Sequence, residues 1–109
     1  MNQRDIVLLS YPFSDLTGTK VRPALVVSNN VLNKKSDDCI LVPLTTVIKD
    51  EPYSINISQK DLASGELIRP SRIRVDKIFS VQKSVIIKNI GSLREETFAR
   101  VKTEIVGML

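Results

Sequence analysis

The stretch "DIVLLSYPFSDLTGTKVRPALVVSN" (residues 5–29) places two runs of branched apolar residues on either side of a segment rich in turn-forming residues. The runs at 5–11 and 23–29 are short and rich in Val, Ile and Leu, which favours β-strands. Residues 12–20 contain Pro, Ser, Asp, Thr and Gly, which favour a loop. Because no helix separates the two strands, parallel βαβ units are excluded.

Arg22 and Pro23 stand where the second of these strands is expected to begin. Proline lacks an N–H group and is tolerated at the first position of a strand. It also biases the preceding residue towards extended geometry, so it would hold Arg22 rigidly at a strand edge. The pair either marks the start of the strand only, or it positions an arginine for chemistry.

Further strands are predicted downstream. Residues 39–45 and 53–58 are short β-branched runs, and Pro43 inside the first of them indicates an edge strand or a bulge. Residues 66–87 alternate irregularly and predict two strands around "RPSRIRVDK" (69–77).

The pattern changes near the end of the chain, where residues 92–95 (Ser-Leu-Arg-Glu) fit a capping box. Residues 93–108 follow with apolar side chains at helical spacing, so we predict a terminal amphipathic helix. Its apolar face contains Phe98, Val101, Ile105 and Met108. Short strands followed by one helix predict a mainly β fold, a small and strongly curved β-barrel or half-barrel closed by a C-terminal helix.

The composition suits one small domain with a basic surface. The chain has 109 residues, 42% of them hydrophobic, so we predict a single domain over residues 1–109 with a modest core. It has 16 Lys and Arg against 12 Asp and Glu, a formal net charge of +4. Basic residues dominate residues 69–88, where Asp76 is the lone acidic residue. Such a segment suits nucleic acid, although a solvated hairpin face has the same pattern.

The absence of histidine narrows the chemistry. Zinc sites and Cys-His nucleophile pairs are excluded, and the adjacent carboxylates have no third oxygen ligand at a recognisable spacing. We therefore expect no metal and no cofactor. The one cysteine, Cys39, excludes an internal disulfide and fits a reducing compartment. No secretory signal is visible and no apolar run approaches the roughly 20 residues of a membrane span, so we expect a cytoplasmic protein.

Three stretches of the chain resemble the MazF/PemK toxins of toxin–antitoxin systems. Residues 5–29 are similar to the N-terminal half of these toxins, and "CILVPLTT" (39–46) is similar to their next strand. "RPSRIRVDK" (69–77), "IGSL" (90–93) and the helix resemble their C-terminal half. The resemblance implies an SH3-like barrel, a homodimer and a metal-independent endoribonuclease that cuts single-stranded RNA at short sequences. It also implies a cognate antitoxin that blocks the active groove.

The resemblance also implies roles for individual residues. In the MazF branch, the catalytic pair matches Arg22 and Thr45. The PemK branch is associated with a histidine, an arginine and an aspartate. Arg69 matches that arginine, but Ser71 replaces the aspartate and the chain has no histidine, so the PemK scheme does not transfer whole.

The remaining candidates are residues that would bind the RNA. We predict this role for Lys20, Arg69, Ser71, Arg72, Arg74 and Lys77. The chain departs from the family at Arg4, where glycine is usual, and at Arg72 and Val75, where a "QIRT" pattern is common. These departures bear on the RNA sequence preference.

These residue types suit RNA cleavage because RNA carries its own nucleophile, the 2′-OH. Attack on phosphorus builds negative charge, which the guanidinium of Arg22 and the hydroxyl of Thr45 can stabilise as fixed donors. The general base is less evident, since arginine remains protonated. The candidates are water and three carboxylates, those of Asp15, Glu66 and Asp76.

Two other functions fit parts of the same pattern. A non-catalytic nucleic-acid-binding β-barrel would keep the basic segment, although the chain has few aromatic residues for base stacking. A gyrase-poisoning toxin similar to CcdB would share the fold. That activity is associated with a tryptophan near the end of the helix, and the chain has no tryptophan, so this function ranks last.

Overall fold

The computed structural model describes residues 1–12 and 19–109. Its strands are β1 (Asp5–Pro12), β2 (Thr19–Val26), β3 (Asp38–Thr45), β4 (Ser54–Ile57), β5 (Leu62–Gly65), β6 (Ser71–Arg74), β7 (Phe79–Gln82) and β8 (Ile86–Leu93). Its helices are α1 (Asn30–Lys35) and α2 (Glu95–Gly107), and short 3-10 turns lie at Gln59–Asp61, Val75–Lys77 and Lys83–Val85. The strands predicted at 5–11, 39–45 and 53–58 are confirmed. Most of the predicted loop at 12–20 lies outside the described residues.

The strands form one curled antiparallel sheet. Its order is β4–β6–β3–β2–β1–β8–β5, and β7 pairs with the first half of β3. Helix α2 follows β8 directly and packs against the apolar side of β4 and β6. The predicted mainly β fold, a small curved half-barrel with a C-terminal helix, is confirmed.

Successive side chains of β1, β2 and β3 enter two apolar clusters on opposite faces of the sheet. The first cluster contains Ile6, Leu25 and Val42 and packs against α2 through Phe98 and Val101. The second cluster takes the neighbouring residues of the same strands: Val7, Leu9, Ala24, Val26, Cys39 and Leu41. Because both faces are covered, these strands read as continuous apolar runs rather than as an alternating pattern.

Pro23 lies inside β2, so its predicted place at the start of the strand is wrong. The strand begins at Thr19, and Pro23 pairs with Leu8 of β1. The ladder between β2 and β3 begins only at Ala24, which pairs with Pro43. Proline has no N–H group to donate, and the ladder with β3 does not reach Pro23. The proline therefore interrupts no registered pair on that side.

Pro43 lies on neither an edge strand nor a bulge, because β3 has neighbours on both sides. On the side away from β2, β7 pairs with β3 up to Leu41, and β6 pairs with it from Leu44. Pro43 lies at the change of partner, where a missing backbone donor interrupts no ladder.

The region around residues 69–77 differs from the prediction. Strand β6 lies inside this stretch rather than beside it, and β7 and β8 follow it. The alternation is hard to interpret because Arg72, a charged residue, is buried and its guanidinium bonds to Val47 O and Glu51. A buried arginine breaks the apolar period that identifies a strand.

Helix α2 is confirmed, but the capping box is wrong. Ser92 lies in β8, and its hydroxyl forms a 2.8 Å hydrogen bond with that of Ser64. The N-cap residue is Arg94, whose side chain makes no capping hydrogen bond. The motif matched, but Ser92 belongs to the sheet.

Candidate nucleic-acid interface

Arg22 and Thr45 lie on neighbouring strands, Arg22 inside β2 and Thr45 at the end of β3. The last registered pair between β2 and β3 is Ala24 with Pro43, and continuing the register by two residues makes Arg22 level with Thr45. Because alternate side chains share a face, both side chains lie on the face that carries Ala24. Arg22 is exposed and Thr45 is half-buried. By this extended register, the two residues that sequence analysis grouped lie on the same face of neighbouring strands.

Arg72 extends this arrangement onto a third strand. Thr45 pairs directly with Arg72 of β6, so Thr45 lies between two arginines on adjacent strands. Paired side chains in an antiparallel ladder have Cβ atoms about 4.5–5.5 Å apart. We call Arg22, Thr45 and Arg72 the arginine row.

The segment of residues 46–52, which joins β3 to β4, covers one end of the arginine row. Arg72 donates from Nε to the carbonyl oxygen of Val47 at 3.0 Å and from Nη1 to Glu51 Oε2 at 3.3 Å. Its side chain is 5% exposed. The N–H of Val47 donates to Thr45 Oγ1 at 3.2 Å, so the same segment contacts two members of the row.

Arg74 lies two residues further along β6, on the same face as Arg72 by the alternation of the strand. It is partly exposed and forms an ion pair with Asp76 Oδ2 at 3.2 Å. Its Nε is buried and has no hydrogen-bond partner among the described residues. The carboxylate of Asp76, a candidate base, is thus engaged by Arg74.

The other predicted RNA-binding residues are placed unevenly. Lys20 is exposed on β2, and Arg69 and Lys77 are exposed before and after β6. Ser71 is buried and donates its hydroxyl to the carbonyl of Arg69 at 3.0 Å. It neighbours Arg72 along the strand, so its side chain lies on the opposite face from the arginine row.

The remaining candidate bases lie apart from the arginine row or outside the described residues. Glu66 is exposed in the connection between β5 and β6. Asp15 lies outside the described residues.

Comparison with known families identifies the chain. A family model described as a PemK-like, MazF-like toxin of type II toxin–antitoxin systems matches residues 2–109. The chain belongs to this toxin family. A search of curated protein sequences gives no significant match.

Solved structures share the fold of this toxin family member at low sequence identity. A MazE–MazF complex from Deinococcus radiodurans has 19% identity and a TM-score of 0.80, and the match covers 99% of this chain and 94% of that one. An endoribonuclease in complex with its cognate antitoxin from Mycobacterial species has 21% identity and a TM-score of 0.77, with 98% and 92% covered. The Mycobacterium tuberculosis toxin MazF-mt6 has 17% identity and a TM-score of 0.73, with 93% of each chain covered.

Sequence analysis of this toxin family member missed Glu51 and Asn56. In the sequence, Glu51 stands out only as part of the adjacent acidic pair Asp50–Glu51. In the structure, its carboxylate contacts Arg72. Asn56 of β4 pairs with Arg72, and its side-chain amide donates to the carbonyl of Lys49 at 3.5 Å. The short connection between β3 and β4, which flank β6, could have located Glu51, because such a connection must cross β6. Asn56 lies inside β4, where no sequence signal marks it.

Cys39 lies away from the arginine row. Burial raises the pKa of the Cys39 thiol, against an opposing effect of Lys83, and Cys39 lies in the second cluster near the far end of β3.

The described part of the chain contains no group of three or more His, Cys, Asp or Glu residues arranged to hold a metal ion. Within residues 1–12 and 19–109, no helix has the length and apolar character that crossing a membrane requires.

Proposed function

We propose that the chain, acting as a single domain over residues 1–109, is the endoribonuclease toxin of a type II toxin–antitoxin system. The family match supports the toxin assignment, and proteins of the same fold include endoribonucleases. The observation that carries the proposal is the arginine row, which presents Arg22 and Thr45 level on adjacent strands.

The proposed reaction is metal-independent cleavage of single-stranded RNA. The 2′-OH attacks the adjacent phosphorus and the bond to the 5′ oxygen breaks, which leaves a 2′,3′-cyclic phosphate and a 5′-OH. The substrate supplies its own nucleophile, so no metal-bound water is required.

Arg22 and Thr45 stabilise the charge that develops on the phosphoryl oxygens. The guanidinium of Arg22 offers permanent charge and several donors, and Pro23 keeps its backbone extended. The hydroxyl of Thr45 accepts from Val47 and retains its own hydrogen for a phosphoryl oxygen. Preorganised donors of this kind are the main source of catalysis when charge builds on oxygen.

In this proposal water takes the proton of the 2′-OH, and water also gives a proton to the leaving 5′ oxygen. Asp76 is bound to Arg74, and Glu66 lies outside the arginine row. Acid–base catalysis is typically worth about 10²–10⁴-fold, so we expect a slow enzyme.

The proposal includes partners and a compartment. A cognate antitoxin with an acidic segment would compete with RNA for the basic residues of this face, since carboxylates can replace phosphates on arginine. A homodimer is expected because a chain of 109 residues gains buried surface by pairing. The exposed apolar side chains of Val21, Ile78 and Ile87 are available for such an interface. Since the proposed substrate is cellular RNA, we expect the protein to act in the cytoplasm.

Cleavage is tested by incubating the purified protein with a defined RNA and mapping the ends. We expect cyclic phosphate and 5′-OH ends, unaffected by EDTA. Inhibition by EDTA that Mg²⁺ reverses, with 5′-phosphate products, would contradict the proposal. Binding without any cleavage would favour the non-catalytic RNA-binding barrel instead.

The site is tested with Arg22→Ala and Thr45→Val, the second of which keeps the shape and removes the hydroxyl. Loss of one preorganised donor is expected to lower the cleavage rate by about 10²–10³-fold for Arg22→Ala. Arg100→Ala on α2 is the control, since Arg100 is exposed on the helix and carries the same charge. Wild-type rates for both site variants, with unchanged circular dichroism, would show that the site lies elsewhere.

A further inference from the structure

The segment of residues 46–52 occupies Arg72 in the way that a phosphate would. Nε and Nη1 of the guanidinium both donate to this segment, at 3.0 Å to Val47 O and 3.3 Å to Glu51 Oε2. Arginine binds carboxylate and phosphate oxygens with the same planar fork of donors. While the segment stays in place, Arg72 cannot offer those donors to RNA.

The segment is held mainly by polar contacts that water can replace. The side chain of Glu51 is 45% exposed, and its second ion pair, to Lys49 at 3.8 Å, is also exposed. The side chains of Val47 and Ile48 are 54% and 49% exposed, so the segment buries little apolar surface. The exposed ion pair to Lys49 contributes little stability, so opening the segment mainly requires breaking its contacts with the buried side chain of Arg72.

The far end of the segment is fixed by the backbone. Tyr53 has a φ of 56°, in the left-handed region that non-glycine residues rarely adopt. The hydroxyl of Ser54 donates to the carbonyl of Glu51 at 2.8 Å. This sharp turn directs Glu51 back towards β6 and brings its carboxylate to Arg72.

We propose that residues 46–52 form an autoinhibitory flap in which the Glu51 carboxylate occupies the place of an RNA phosphate on Arg72. RNA binds fully only when the flap opens and releases Arg72. The inference rests on the proposed function, namely that this face of the sheet binds RNA. It adds a closed state in which the chain blocks part of its own site.

The matched pair Glu51→Gln and Asp50→Asn tests the flap. Each variant removes one negative charge from the same segment. Asp50 is exposed, and its carboxylate is not a partner of Arg72 in the structure. Both variants therefore show the same general effect of net charge on RNA binding. Only Glu51→Gln also weakens the contact between the segment and Arg72.

The measurement is affinity for a single-stranded RNA with 2′-O-methyl groups, which cannot be cut, with cleavage of the unmodified RNA in parallel. We expect Glu51→Gln to bind this RNA about fivefold more tightly than Asp50→Asn. This is the change in affinity expected when RNA no longer has to break an ion pair of the strength usual for the stronger partly exposed pairs. Amide hydrogen exchange across residues 46–52 should also speed up in Glu51→Gln and not in Asp50→Asn. Circular dichroism establishes that both variants are folded.

The outcomes separate the flap from the proposed function. If wild type binds RNA, and both variants bind it equally with unchanged exchange across residues 46–52, the flap is overturned and the proposed function stands. If no form of the protein binds RNA, the proposed function fails, and the autoinhibitory role fails with it. Tighter binding by Glu51→Gln together with faster exchange supports the flap.

Discussion

Arg4 has a left-handed backbone conformation, and hydrogen bonds to β2 and β8 hold it in place. Its φ is 80°, its N–H donates to Val26 O at 2.9 Å, and its carbonyl accepts from Leu93 at 2.9 Å. Only glycine adopts this conformation without a steric cost. The resemblance noted glycine as usual here, and the structure supplies the physical reason.

Comparison of Arg4→Gly with Arg4→Ala isolates this strain. Both variants lose the hydrogen bond from Arg4 Nη1 to Leu93 O and the exposed ion pair to Glu95. Only Arg4→Gly also relieves the left-handed backbone, so we expect it to be more stable than Arg4→Ala by about 1 kcal/mol. Urea denaturation measures the difference. Equal stabilities would mean that the backbone relaxes in the alanine variant.

At this scale, the family resemblance grouped Arg22 with Thr45, but the sequence did not predict the state of Arg72. Thr45 ends a strand that a short apolar run defines, whereas Arg22 lies inside β2 rather than just before it, because the strand begins at Thr19. The burial of Arg72 depends on where the connection from β3 to β4 folds, and that is set by tertiary contacts with Val47 and Glu51. No local pattern encodes such contacts.

Strands β5 and β8 approach closely at a pair of glycines. Gly65 pairs with Gly91 in the ladder, and a Cβ atom on Gly91 would lie 2.6 Å from the carbonyl oxygen of Ser64. Such a contact requires the backbone to move. Because these two positions have no side chains, β5 can pair closely with β8 as the last strand of the sheet.

A glycine-to-alanine pair tests this approach. We expect Gly91→Ala to destabilise the protein by about 1–3 kcal/mol, because it overpacks a backbone contact. Gly107→Ala in α2 is the control, since its Cβ would lie 3.7 Å from the ring of Tyr53, an ordinary contact. That variant should gain about 0.4–1 kcal/mol from the lower entropy of the unfolded chain. Thermal unfolding that ranks the two variants in the opposite order would contradict the close approach.

At the scale of elements, sequence identified the strands of the first half of the chain and the terminal helix, and it failed where local and tertiary preferences conflict. Ser92 fits a helix cap locally, but its backbone pairs with Asp5 of β1 and Ser64 of β5. Pairing on both sides outweighs one capping hydrogen bond, which is typically worth about 1 kcal/mol. The strand that contains Arg72 was misplaced for a different reason, because a buried charged residue interrupts the apolar pattern.

For the whole molecule, the two faces of the central strands have different surroundings. The first cluster is closed by α2, whereas the face of β2 and β3 that carries the second cluster also carries Arg22 and Thr45 of the arginine row. Basic residues outside this face, such as Arg100 on α2, serve as internal comparisons for any electrostatic effect.

The salt dependence of RNA binding should therefore distinguish the two faces. Arg74→Ala removes one phosphate contact in the proposed function, so the slope of log affinity against log salt should fall by about 0.7. Arg100→Ala has the same change in charge and should leave the slope unchanged. Fluorescence anisotropy with a labelled uncleavable RNA between low and moderate salt gives both slopes. An identical slope for wild type and Arg74→Ala would return Arg74 to the role of a solvated surface residue.

The two apolar clusters on opposite faces of β1, β2 and β3 have a consequence for how the chain avoids misfolding. In a sheet with one wet face, a strand that slips by one residue exposes its core side chains, and that cost selects the correct alignment. Here a slipped strand would exchange one buried face for the other, so hydrophobicity discriminates weakly against kinetic traps. The prolines supply the missing selection. A one-residue slip of β3 would turn Pro43 towards β2, where Val42 now pairs with Leu25, and its absent N–H would leave a gap in the ladder.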